Sequence, residues 1–123
     1  MTKAEAIYRF FSGFVAHSYP ADNVPNDVIF PYLTFEPVYG SVLDGDISMT
    51  ADLFYYTKGE ADINAKAQEL SDKIGMGGVM LSCDNGAIWI KRGNPFCKTI
   101  RDDSDPLIKR RQFNISIEFI TQD

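Results

Sequence analysis

The stretch Ile108-Lys109-Arg110-Arg111-Gln112-Phe113-Asn114-Ile115-Ser116-Ile117-Glu118-Phe119-Ile120-Thr121 decides the fold class. Phe113, Ile115, Ile117 and Phe119 fall on one side of an extended chain, and Gln112, Asn114, Ser116 and Glu118 on the other. Strict alternation of this kind predicts a strand with one face in a core and one face in water. Such a strand belongs to an antiparallel sheet, because a parallel sheet is covered on both faces and reads as a continuous apolar run.

Working outward, the same alternation recurs over Asp46 to Tyr56, with Ile47, Met49, Ala51, Leu53 and Tyr55 on the apolar side. A shorter version runs from Pro31 to Tyr39, with Leu33, Phe35, Pro37 and Tyr39 on one face. Pro37 donates no ladder hydrogen bond, which predicts an edge strand or a bulge. Gly40 to Gly45 turns the chain, and the two strands are expected to pair as consecutive strands usually do. Gly78 to Cys83 and Ala87 to Lys91 read as two short strands around the Asp84-Asn85-Gly86 turn signal. Arg92 to Pro106 reads as turn-rich and charged, with at most a short strand at Phe96 to Ile100. Pro20 to Pro31, broken by three prolines with Asp and Asn between them, reads as a surface loop.

Two segments carry helical spacing instead. Ile7, Phe10, Phe11, Phe14 and Val15 make one apolar face from Thr2 to about Val15, and Thr2 with Glu5 forms a capping-box signature. Ile63, Ala67, Leu70 and Ile74 make a second stripe from Glu60 to Ile74. Acids at its start and Lys73 near its end suit the helix dipole, and Gly75 is the expected stop. Asp62–Lys66 and Glu69–Lys73 are spaced as i,i+4 ion pairs. The order is α-β-β-α-β-β-(β)-β. It predicts a single α+β domain over 1–123: a two-layer sandwich of a mainly antiparallel sheet of four to five strands with two helices on one face.

Composition bounds the function. The chain has 123 residues, 45% of them hydrophobic, and a formal net charge of −5. That is an ordinary globular balance, and it disfavours nucleic-acid binding by a basic face. No apolar run approaches the ~20 residues of a membrane helix. The N-terminal Met1-Thr2-Lys3-Ala4-Glu5 does not read as a signal peptide, and a cytoplasmic protein without membrane association is the expectation. Cys83 and Cys97 lie fourteen positions apart, with no C-x-x-C, and read as reduced, half-buried small residues.

Catalytic and ligand motifs fit poorly. Gly75-Met76-Gly77-Gly78 lacks the phosphate-loop pattern and follows a helix instead of opening one. His17 stands at a helix end, where an imidazole capping the helix is the plainer role. Asp44, Asp46, Asp102, Asp103 and Asp105 are the oxygen-rich candidates for a divalent cation. As an EF-hand, however, the run from Asp102 places Leu107 where Gly is needed and Phe113 where Glu is needed. Aspartates capping their own turns explain the run at less cost. No catalytic residue, metal site or cofactor is expected, and the chain reads as a non-enzyme. Of the aromatics Trp89, Phe96, Tyr55 and Tyr56, Phe96 is the one expected to anchor an interface, because it follows Arg92-Gly93-Asn94-Pro95.

Phe30-Pro31-Tyr32-Leu33-Thr34-Phe35-Glu36, Gly45-Asp46-Ile47-Ser48, Asn64-Ala65-Lys66-Ala67, Gly86-Ala87-Ile88-Trp89-Ile90-Lys91-Arg92-Gly93 and Ile108-Lys109-Arg110-Arg111 together resemble the tail terminator (tail-completion, minor tail) proteins of siphophages and their prophages. The resemblance covers most of the chain. It implies an α/β domain that forms a ring, typically hexameric, on the end of the tail tube and meets the head–tail connector. Its partners would be further copies of itself, the tail tube protein and the connector protein, in the host cytoplasm during assembly and in the virion tail afterwards. A head-closure (head–tail joining) protein and a small tail-tube protein are the related readings. The acidic run Asp102, Asp103, Asp105 and the basic run Lys109, Arg110, Arg111 would suit head-to-tail pairing between copies. Asp44, Asp46, Arg92, Phe96 and Arg101 complete the expected assembly interface.

Overall fold

A computed structural model describes residues 1–123. The elements are α1 (Lys3–Phe14), β1 (Ser18–Pro20), β2 (Tyr32–Phe35), β3 (Asp46–Tyr56), α2 (Ala61–Ile74), β4 (Val79–Cys83), β5 (Gly86–Arg101) and β6 (Ile108–Thr121). They form a six-stranded sheet in the order β1-β2-β3-β6-β5-β4. Every neighbouring pair is antiparallel except β1 with β2. The sheet is therefore mixed and holds six strands, where four to five were expected.

The alternation in β6 sets the layers. Phe113, Ile115, Ile117 and Phe119 are all buried and pair in register with Ala51, Met49 and Ile47 of β3 on one side and Ile88 and Ile90 of β5 on the other. Leu33 and Phe35 of β2 extend the same face. The two helices cover it with Ala6, Ile7, Phe10, Phe11 and Phe14 from α1 and Ile63, Leu70 and Ile74 from α2. The Phe11 and Phe35 rings stack at 4.9 Å, tying α1 to β2.

Local chemistry places the helices. The Thr2–Glu5 capping box is present at the start of α1. At its end, the buried Ser18 hydroxyl donates to the carbonyls of Val15 (2.6 Å) and Phe11 (3.1 Å). Ser18, and not His17, closes that helix. Gly75 stops α2 at φ +74, where a side chain would be strained. The expected i,i+4 pairs of α2 are replaced. Lys66 bonds Glu69 at 2.9 Å and lies over Phe14, and Lys73 lies over Phe10 and donates to its carbonyl. The aromatic faces of α1 draw both lysines inward.

Three expectations about individual strands change as well. Ser18–Pro20, read as chain between a helix and a loop, is an outer strand parallel to β2, so β2 is not the edge. The strand expected from Pro31 to Tyr39 ends at Phe35, before Pro37, and Tyr39 is 69% exposed. The stretch from Arg92, read as turns with a short strand, is a continuation of β5 to Arg101. Its Gly and Pro occupy a bulge between Arg92 and Cys97, where β5 carries extra residues opposite Asn114. Asn114 Nδ2 donates to Pro95 O at 2.8 Å, and a Cβ on Gly93 would lie 2.7 Å from Asn114 O. A bulge tolerates proline because no ladder bond is lost there.

Phe11 is fully buried between layers. Phe11→Ala is expected to cost about 3–5 kcal/mol of unfolding free energy. A urea titration checks this by a lowered midpoint at unchanged slope.

Candidate assembly surfaces

The expected interface residues fall into two groups at opposite ends of the sheet, with a third between them. At one end the β5–β6 hairpin closes through Asp102 to Leu107. Asp102 accepts from Ser104 N (2.9 Å) and Ser104 Oγ (2.6 Å), which holds its carboxyl below the usual range. Asp105 Oδ1 accepts from Leu107 N at 3.0 Å, and its charge keeps the Tyr56 phenol protonated to higher pH. Both aspartates thus cap their own turn. Asp103 and Arg101 are exposed, and Lys109 bonds the Pro106 carbonyl. Arg101, Asp103, Lys109 and Arg110 line an open, mixed-charge cleft of about 640 Å³.

The basic run is not uniformly free. Arg110 Nε bonds Asp52 Oδ1 at 3.0 Å, with its guanidinium 5.4 Å from the Phe54 ring. Arg111 is buried on the helix side, and its Nη2 donates to Glu60 Oε1 (3.1 Å) and Asn64 Oδ1 (2.9 Å). It fastens the start of α2 to the sheet. Reversing its charge would therefore report on folding before assembly, because a buried charge is lost with its partners.

At the other end, Asp44 closes the short helical turn Val42–Asp44 by accepting from Ser41 N at 2.7 Å. Asp46 opens β3 and pairs with Lys91 of β5, also accepting from Ser116 Oγ at 3.3 Å. Lys91 holds the Asp46 carboxyl below its usual range. In the middle, at the bulge, Arg92 Nη1 donates to Ser71 Oγ of α2 at 2.9 Å. Phe96 is half-buried with its ring 5.3 Å from Phe113. The Asp44–Asp46 pair and the Asp102–Asp105 run do not meet, and no group of three or more His, Cys, Asp or Glu side chains is placed to hold a metal ion. Cys83 and Cys97 are both free and half-buried, and burial pushes both thiols up.

Other surface features escaped the sequence reading. Phe30, Tyr32, Phe54 and Tyr56 form an aromatic cluster on the open face, with Tyr32 stacked on Phe54 at 4.6 Å. Tyr8, Pro20, Pro37 and Tyr39 line an apolar hollow of about 290 Å³ beside α1. Leu43 is 90% and Met76 97% exposed. Isolated apolar residues in turns carry no periodicity, so only their exposure singles them out.

One solved structure, described as the virion of a native gene transfer agent (GTA) particle, contains a chain with the same fold. The likeness covers 94% of this chain and 92% of that one, with a TM-score of 0.59 and 20% sequence identity. No family model matches the chain, and no curated protein sequence matches it.

Two predictions follow from these contacts. Glu60→Ala with Asn64→Ala leaves the buried Arg111 guanidinium short of partners, and stability should fall by roughly 2–3 kcal/mol. Adding Arg111→Met should restore most of that loss in the same denaturation assay. The second concerns acid. A carboxyl whose folded pKa is depressed adds stability in full above its unfolded value of about 4. That stability drains away as pH falls through the lower folded value. Asp46 and Asp102 are of this kind. Lys91→Met should therefore make the loss of stability below about pH 4 shallower, as read from urea midpoints across the acid range.

Proposed function

We propose that the chain is a non-enzymatic structural protein of a phage-like virion, and within it a tail terminator. The observation that carries this reading is the fold shared, over nearly the whole length of both chains, with a chain of a gene transfer agent virion. The resemblance of the strand motifs to siphophage terminators supports the finer role.

The mechanism is one of surfaces. A ring on the tube end needs a head-to-tail contact that closes on itself. It also needs two unlike axial faces, one matching the last tube ring and one that does not propagate it. The two ends of the sheet carry different loops, which supports this reading. One carries the Asp102–Leu107 turn and the end of the Ala21–Pro31 loop, where Phe30 packs on Tyr56. The other carries the Val42–Asp44 turn, the Asp84–Asn85 turn and both termini, with the Met1 amine bonded to Asp84 at 2.7 Å. Loops on a rigid scaffold are where such recognition resides. Asp44, Asp46, Arg101, Asp103 and Lys109 are the charges offered to partners there: neighbouring copies, the tail tube protein and the head–tail connector protein. Arg92 and Phe96 stand at the bulge between the two ends. The protein would act in the host cytoplasm during assembly and remain in the virion tail.

Electron microscopy of particles from a strain lacking this gene tests the reading. Over-long tails beside tailless filled heads are expected. Tails of normal length that fail to join heads would assign a joining protein instead. Normal infectious particles would overturn a virion role altogether.

A further inference from the structure

The two edges of the sheet are unlike. At the β1 edge, the strand is three residues long, Ser18 is buried beneath α1, and Pro20 offers no N–H. At the β4 edge, Val79-Met80-Leu81-Ser82-Cys83 carries no charge, no proline and no bulge. Every second residue of such an edge turns its N–H and C=O away from the sheet. Asp84 shows which parity points outward, since its N–H already bonds Met1 O at 2.7 Å. Met80 and Ser82 share that parity. The helix layer also stops short here. Val79, Leu81 and Cys83 face the core side yet are only half-buried, while Ile88 and Ile90 on the adjacent β5 are fully buried. Met80 is 54% exposed on the other face. An edge with these properties is a template for one more strand.

The same chain holds a matching segment on its opposite side. In the Ala21–Pro31 loop, residues Val24 to Phe30 make no backbone hydrogen bond with any part of the chain. Between Pro25 and Pro31 lie five consecutive residues with N–H groups, Asn26-Asp27-Val28-Ile29-Phe30, a segment as long as β4. Five residues span about 16–17 Å when extended, so the lengths agree. Val28, Ile29 and Phe30 are strand formers, and Ile29 is 62% exposed. Phe30 anchors the end of the segment against Tyr32 and Tyr56. The loop leaves the sheet at the β1–β2 side, and β4 is the far edge.

We infer that Asn26–Phe30 of one copy adds as a strand to the open β4 edge of the next copy. Donor and acceptor lie on opposite sides of one protomer, so the contact is heterologous and repeats from copy to copy, as a ring requires. The inference rests on the ring reading above for its setting, and on the unpaired edge and unpaired loop for its content. The partner is a second copy because the chain itself holds a segment of the right length, propensity and unpaired backbone. An isologous pairing of two β4 edges would leave that segment unused.

The test uses two variants in a background with Cys83→Ala and Cys97→Ala, one carrying Ile29→Cys and the other Ser82→Cys. Both are supplied together to a strain lacking the gene, and purified particles are treated with a short thiol-to-thiol crosslinker. The expected product is the mixed pair, in excess of either variant joined to itself. The chain carrying both substitutions should give a ladder of linked multimers. Ser82→Cys joined chiefly to Ser82→Cys would overturn the proposal in favour of an isologous edge pair. Particles that contain the protein but give no mixed product would overturn it while leaving the terminator reading standing. Particles that lack the protein would remove that reading. The crosslinking is then decided on the concentrated purified variants, where the mixed product supports the contact and its absence overturns it.

Discussion

β6 must turn Phe113, Ile115, Ile117 and Phe119 toward the helices, and the placement of every other element follows from that demand. The strand is paired on both sides, to β3 and to β5, so its register is shared by the two longest ladders in the sheet. A slip of one residue would send all four apolar side chains to the open face and bring Gln112, Asn114 and Ser116 into the core. The same slip would carry Arg111 away from Glu60 and Asn64, which hold the start of α2. Apolar burial thus chooses the face, and one buried guanidinium fixes where the second helix begins.

The helix layer is held by similarly specific contacts. α1 runs from the β4–β5 turn, where Met1 O accepts from Asp84, to β1, where the Ser18 hydroxyl takes its last carbonyls. It therefore spans the sheet between its two edges. Both lysines of α2 lie over aromatic rings of α1, and only Lys66 also keeps an acid of its own helix, Glu69. The edges inherit their difference from this arrangement, since the layer covers Ser18 and leaves β4 half-covered.

Much of the architecture was legible in the chain. Thr2 with Glu5, Gly75, and the alternation in β3 and β6 each express a local physical rule, and each appears as read. The misreadings are equally physical. Gly93 and Pro95 are strong turn signals, but in β5 they serve a bulge, where Gly93 leaves room for the Asn114 carbonyl and Pro95 has no ladder bond to lose. Ser18–Pro20 is too short to show a period and exists only because β2 lies beside it. The i,i+4 pairs of α2 were legitimate on an isolated helix and lost to aromatic neighbours that no local spacing records.

For the surfaces the division is sharper. The two-layer plan can be read from the chain alone, because hydrophobic period and turn chemistry act over a few residues and need no partner. So can the charged runs, since composition is local. Which of those charges are free depends on how the chain folds. Arg110 and Arg111 stand beside the acidic turn in sequence but are taken by Asp52, Glu60 and Asn64, residues about fifty positions away. Only the tertiary structure, likewise, left β4 without an outer neighbour and Val24 to Phe30 without backbone partners. Pairing between strands is settled by long-range register and by what the helices happen to cover, and neither is written in any single stretch of chain.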